Sequence, residues 1–311
     1  MTAQERAVVS VLDPIEEAIG RVKLILFKPF DLGKWFVIGF CAWLAYLGQG
    51  GGGGWGNFRV LKGHGPGESI GLVKDFVLAN LFWIIPTVIF VLTVAILVGL
   101  LIVWLSSRGR FMFLHCAALN RAEIKVPWAK YRREGNSLFL FRVVVGLIYF
   151  GVMITCAALL VGFIAIPASR SSLSGMGIAI TLSIFLPVLF AVVIVFTLIS
   201  KFTKDFVVPI MYLRTSSCVE AWREFLGILS GNKCRFLLYI LFQIVIGIAV
   251  AAIVVAAAMV TCCCACCILA IPYIGTVLFL PVLIFKRAYS LFYFRQYGSQ
   301  FDVFVPEAAA V

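Results

Sequence analysis

Charge is scarce in this sequence. Asp, Glu, Lys and Arg together make up only 13% of its 311 residues while hydrophobic residues reach 63%, far from the roughly quarter-charged, half-apolar balance of a soluble domain. Histidine is scarcer still, with His64 and His115 as its two copies. The apolar runs between them put these residues on opposite sides of a membrane, so they cannot share a site. None of the 14 acidic side chains falls in the middle of an apolar run, and the strongly polar side chain that does is Gln243. Proton- and sodium-coupled carriers usually place ionisable groups or broken helices at the midplane, so this absence argues against one. Period-two alternation is missing as well, which excludes a β-barrel. The N-terminus lacks an early apolar run with a cleavage site, so no signal peptide is expected.

What the sequence has is long apolar runs. A bilayer core of about 30 Å needs roughly 20 apolar residues per helix. Val77–Leu105, Leu138–Ile166, Leu173–Ser200 and Phe236–Ile271 meet this, and Lys34–Gly48 and Tyr273–Phe285 add two shorter segments. The reading is an all-α, multi-pass integral membrane protein with six transmembrane helices. Basic residues set its orientation: five precede or open the first run, seven occupy the second loop, six the fourth and three the tail. The opposite side holds Arg59, Lys62, Lys74 and Arg170. The positive-inside rule puts both termini in the cytoplasm, which implies a multi-pass protein of the cell (plasma) membrane. The net charge of +12 then reads as topology and as affinity for anionic lipid headgroups on the cytoplasmic side, with no nucleic acid involved.

One membrane domain of three helical-hairpin repeats is expected, as units 11–119, 120–213 and 214–298 with a tail from 299 to 311. Each unit opens on a cytoplasmic interfacial helix and returns through a span bearing Pro86, Pro187 or Pro281. In "DPIEEAIGRVKLILF" Asp13 is the expected N-cap and Pro14 the first helical residue, with Ile15, Ile19, Val22 and Leu26 on one face. In "SCVEAWREFLGIL" Ser217 and Glu220 form a capping box, and Trp222, Phe225, Leu226 and Leu229 form the apolar stripe. The segment "VPWAKYRREGNSLFLF" is the shorter, more basic counterpart in the second unit. Each returning span ends in an aromatic extension, "RFMFLHCAALNR", "DFVVPIMYLRTS" and "RAYSLFYFRQYG".

The segments "DFVVPIMYLR", "VEAWREFLGILSGN" and "PVLIFKRAYSLFYF" resemble an uncharacterised family of bacterial six-span membrane proteins. That family is similar to the membrane domain attached to some glycerophosphodiester phosphodiesterases. The resemblance covers the last third well and the rest in architecture. It implies a six-span fold but no established activity. The soluble barrel of the phosphodiesterases and its acidic and histidine ligands have no counterpart here, so phosphodiester hydrolysis is not expected.

The densest chemistry is "TCCCACC", with Cys262, Cys263, Cys264, Cys266 and Cys267 at the outer end of the fifth span. At about 100° per residue these side chains fan around the helix and cannot converge on one tetrahedral ion. They read as small apolar packing residues that continue the surface of Gly247, Ala251, Ala252 and Ala256. The overlapping C-x-x-C spacings leave soft-metal, redox and outer-disulfide readings as alternatives. "GESIG" at Gly67–Gly71 matches a nucleophile elbow in spelling but lacks the strand and helix that such an elbow needs. The run from Gly48 to Asn57 is a flexible glycine linker. Asp205, beside Lys204 and nine residues before Arg214, is an ion pair at a cytoplasmic elbow. With Arg214, Trp222 and Gln243 it is a candidate contact for a partner or ligand.

No catalytic residue, bound metal or cofactor is expected. The function these features favour is a non-catalytic membrane module that organises lipid or partner proteins at the cytoplasmic face. The alternative is a passive transporter or channel for a small or lipid-like substrate, which a polar cavity joining Gln243 to the three prolines would favour.

Overall fold

The computed structural model describes residues 9–48, 81–169, 175–260 and 271–304. Among these, all regular structure is helical. The elements are α1 (Asp13–Leu26), α2 (Leu32–Tyr46), α3 (Leu81–Leu119), α4 (Lys125–Lys130), α5 (Arg132–Ser169) and α6 (Gly175–Phe202). A π-helical turn (Thr203–Val207) leads into α7 (Val208–Arg214), followed by α8 (Cys218–Gly231), α9 (Lys233–Val260), α10 (Pro272–Leu278) and α11 (Leu280–Arg295). Among the described residues, four helices are long and apolar enough to cross a membrane: Phe82–Leu119, Arg132–Phe163, Thr181–Arg214 and Lys233–Ala257. Leu32–Tyr46 is a shorter apolar helix.

The first two aromatic extensions continue their long apolar helices without a break, and the third continues α11. α3 runs for 39 residues, about 58 Å at 1.5 Å per residue, nearly twice a hydrocarbon core. Its first two thirds are lipid-like in composition and unpacked, as Phe90 and Leu101 illustrate at 69% and 58% exposure. Its last third, from Ser106 to Ala118, is buried. The same division recurs in α5, α6 and α9, whose most apolar stretches are not buried inside the protein. The core therefore sits at the basic ends of the helices. There Phe111, Phe206, Phe225, Phe236, Tyr239, Tyr289 and Tyr293 pack together, with Phe206 stacked on Phe225 at 5.2 Å between ring centroids. Aromatic rings in such offset and edge-on contacts add about 0.5–1.5 kcal/mol per pair beyond their buried area. A second cluster joins Ile25, Leu26, Ile38, Cys41, Met112, Leu280 and Ile284 from α1, α2, α3 and α11.

Polar side chains tie the short helices to this core. Arg21 of α1 donates to the carbonyls of Ala117 and Ala118 in the last turn of α3, satisfying acceptors that a helix C-terminus leaves open. α11 is fastened to the residues just before α1 by Tyr289 Oη donating to Val11 O at 3.0 Å, and to α1 itself by Arg295 against Glu17 at 2.6 Å. The start of α1 differs from expectation. Asp13 lies inside the helix, and Ser10 Oγ accepts from the Leu12 and Asp13 amides instead. The buried face is also turned toward Ala18, Ile25 and Leu26, leaving Ile19 exposed, because α11 packs on the side that small Ala18 opens.

α8 carries the expected capping box. Ser217 Oγ accepts from the Glu220 amide at 3.4 Å, and Glu220 accepts from the Ser217 amide at 3.0 Å. Its buried face is Cys218, Ala221 and Phe225 rather than the Leu226 side, which is exposed. The amide and hydroxyl of Ser217 hold Glu220 below its ordinary value of 4.5. A depressed carboxyl contributes stability that is present above its unfolded pKa and is lost as pH falls through the folded one. The melting temperature should therefore drop more in wild type than in Glu220→Gln as pH falls from neutral through that range. Ser217→Ala should cost about 0.5–2 kcal/mol. A pH profile identical in wild type and Glu220→Gln would show that the box contributes nothing.

Candidate functional site

The site grows out of the π-helical turn. A π turn inserts an extra residue into the helical frame and re-aims the side chains around it, and such turns recur at functional positions. Here the turn places Asp205 inward, 4% exposed. Lys201, one turn earlier, sets its Nζ 2.9 Å from Asp205 Oδ2, and Tyr239 Oη donates to the same oxygen at 3.0 Å. Gln243, one turn beyond Tyr239 on α9, donates from Nε2 to Tyr239 Oη at 3.1 Å and accepts from Lys201 Nζ at 3.2 Å. The four side chains close a ring that joins α6, the π turn and α9. Arg287 of α11 donates to the Lys204 carbonyl at 2.5 Å, and Lys204 Nζ lies 3.8 Å from the Tyr46 ring centroid. Five helical segments thus meet around Asp205 and Lys204.

Beside this ring lies a cleft of about 590 Å³ between α3, α5, α6 and the π turn. Arg110, Arg142, Lys201 and Lys204 supply its charge, and among the described residues no carboxylate lines it. Val145, Tyr149, Val193 and Phe196 line its apolar part, with Thr197 and Ser200 between the two. Arg142 donates to Ser107 Oγ at 3.0 Å and to the Val103 carbonyl at 3.3 Å. Arg110 is 5% exposed and its Nε has no hydrogen-bond partner.

A family model described as a family of unknown function, DUF7544, matches residues 9–284. The chain belongs to that family. The match takes in all the residues of the ring and cleft and the first two of the segments that resemble a six-span family, and it ends four residues into the third. Nothing in it links the chain to glycerophosphodiester phosphodiesterases. No curated protein and no solved structure matches the chain.

Of the four residues singled out as partner or ligand contacts, the structure brings Asp205 and Gln243 together and separates the other two. Arg214 forks onto Glu224 of α8 through Nε and Nη2, at 3.1 and 2.7 Å, so it does not pair with Asp205. The reason is the helix itself, which carries the two side chains apart over nine residues. Trp222 packs against Phe141 and Phe225, with its indole N–H buried and unpartnered. The cluster Cys262–Cys267 and the segments around His64 and "GESIG" lie outside the described residues. Among those described, no group of three or more His, Cys, Asp or Glu is placed to hold a metal ion. Cys218 is buried, which pushes its thiol up to about 12 and keeps it protonated.

Lys201, Tyr239, Arg110 and Arg287 were not legible as site residues. Two signals pointed to the ring, the i,i+4 spacings Lys201/Asp205 and Tyr239/Gln243. The pairing of α9 with the π turn is a tertiary fact with no local signature.

Proposed function

We propose that the protein is a non-catalytic membrane module that organises anionic lipid, and through it partner proteins, at the cytoplasmic face of a bacterial inner membrane. On this reading it has six spans in three hairpin units, with α1, α4 and α8 as interfacial helices and both termini cytoplasmic. The observation that carries it is the position of the folded core. Packed aromatic rings and buried cations are concentrated at the basic ends of the helices, where the headgroups of an anionic leaflet would lie. The apolar stretches are left for lipid to cover. The passive-transporter alternative gains nothing from the cleft, which is lined by neither Gln243 nor Pro86, Pro187 or Pro281.

Spin-labelled lipids measure this directly. In reconstituted vesicles, a phosphatidylglycerol label should associate with the protein several-fold more than a phosphatidylcholine label, at about 1 kcal/mol per headgroup-level cation. Added salt should erode the preference, because exposed charges are screened within a Debye length of about 10 Å at 0.1 M. Equal association of the two labels at low salt would refute the reading.

A further inference from the structure

We infer that the cleft between α3, α5, α6 and the π turn is a discrete binding site for the phosphate of one anionic glycerophospholipid. The phosphate would be held by Arg110, Arg142, Lys201 and Lys204, with the acyl chains leaving along Val145, Tyr149, Val193 and Phe196. This rests on the lipid-module reading and adds to it a particular molecule in a particular place.

The first argument is charge. Four cations line one cleft without a carboxylate among them. The adjacent acid, Asp205, pairs with Lys201 and accepts from Tyr239, which leaves Arg110, Arg142 and Lys204 as the excess charge of the cleft. A buried guanidinium with an open donor is costly unless an anion meets it, and Arg110 is that group: 5% exposed, its Nε unpartnered. Arginine presents planar forked donors that fit phosphate oxygens two at a time, and the lysines add point charge. The hydroxyls of Thr197 and Ser200 stand at the boundary between the charged and apolar parts, where the glycerol of a phospholipid would lie.

The second argument is shape. Val103 and Arg110 are seven residues apart on one face of α3. Phe141, Val145 and Tyr149 recur at four-residue spacing on α5, and Val193, Phe196 and Ser200 share a face of α6. Each helix therefore contributes charge or hydroxyl toward the basic end and hydrocarbon toward the apolar end. The floor is open at Gly146, where an added Cβ would meet nothing within 4 Å. Ile148 and Ile194, next in sequence to the lining residues Tyr149 and Val193, are exposed. A site for free phosphate would need the charged half alone, and the apolar half has a use only for an amphiphile.

Native mass spectrometry from phosphatidylcholine-containing micelles, titrated with phosphatidylglycerol or inorganic phosphate, tests the site. Wild type should retain one phosphatidylglycerol in preference to phosphatidylcholine, and inorganic phosphate should not displace it. Arg110→Gln and Arg142→Gln should each bind it about tenfold to a hundredfold more weakly, the range carried by a charge-assisted hydrogen bond. Arg214→Gln, which lies outside the cleft, should bind as wild type does. Melting temperatures without phosphatidylglycerol verify folding. Should Arg110→Gln fail to fold, Arg142→Gln at the half-buried edge carries the test. Undiminished retention in the Arg142 variant overturns the assignment, as does displacement by inorganic phosphate or equal retention of the two lipids. If the discrete lipid is absent while the salt-sensitive preference of the spin labels persists, the site falls and the module stands. A retained discrete lipid with no spin-label preference leaves the site and removes the module.

Discussion

Replacing Asp205 with alanine will destabilise the protein by about 3–5 kcal/mol, the range observed when one partner of a buried ion pair is removed. The carboxylate is 4% exposed and receives Lys201 and Tyr239 on one oxygen. Its loss leaves the partly exposed Lys201 ammonium and the buried Tyr239 phenol with Gln243 as their remaining partner, in a core that also holds Lys204 and Arg287. Chemical unfolding in mixed micelles, followed by tryptophan fluorescence, reads the effect. Adding Lys201→Met to the alanine variant should restore a substantial part of the loss, because residues in one network couple. Arg214→Ala supplies the contrast. Its pair with Glu224 is half-exposed, so its removal should cost no more than about 1 kcal/mol. Similar losses for Asp205→Ala and Arg214→Ala would show that the ring does not hold the core.

Gly109→Val should be nearly as damaging, at the upper end of the roughly 1–3 kcal/mol typical of an overpacked core. A Cβ at Gly109 would stand 2.6 Å from Ala45 N and from Leu44 C. These are backbone atoms that cannot rotate away, so α2 and α3 would have to separate. The bond from Ser106 Oγ to the Ala45 carbonyl at 3.0 Å would break with them. Gly99→Ala on the same helix meets nothing within 4 Å and should be neutral, or stabilising by up to about 1 kcal/mol from helix propensity. Thermal melts of the two variants side by side decide the matter. A Gly109→Val protein that melts with wild type would mean that the two helices are not in this contact.

The sequence by itself determined a good deal of this protein. Apolar runs of span length with no period-two alternation leave the α-helix as the structure that satisfies the backbone in hydrocarbon. Ser217 followed three residues later by Glu220 announced the start of α8, because a capping box is satisfied within one turn of chain. Both are local facts. What the tertiary structure decided is where the core lies and which polar groups meet in it. A run such as Phe82–Leu101 and an extension such as Phe111–Ala118 are both rich in apolar side chains, yet the first is exposed and the second buried. Lipid is as apolar as leucine and gives spans no hydrophobic reason to pack on one another. The aromatic, cation-bearing ends have such a reason, since their polar groups need partners. Lys201 and Asp205 are neighbours in sequence, but Tyr239 and Gln243 reach them only because α9 returns against the π turn. Arg110 faces Arg142 and Lys204 across a cleft assembled from three helices, and no spacing along one chain segment encodes that convergence.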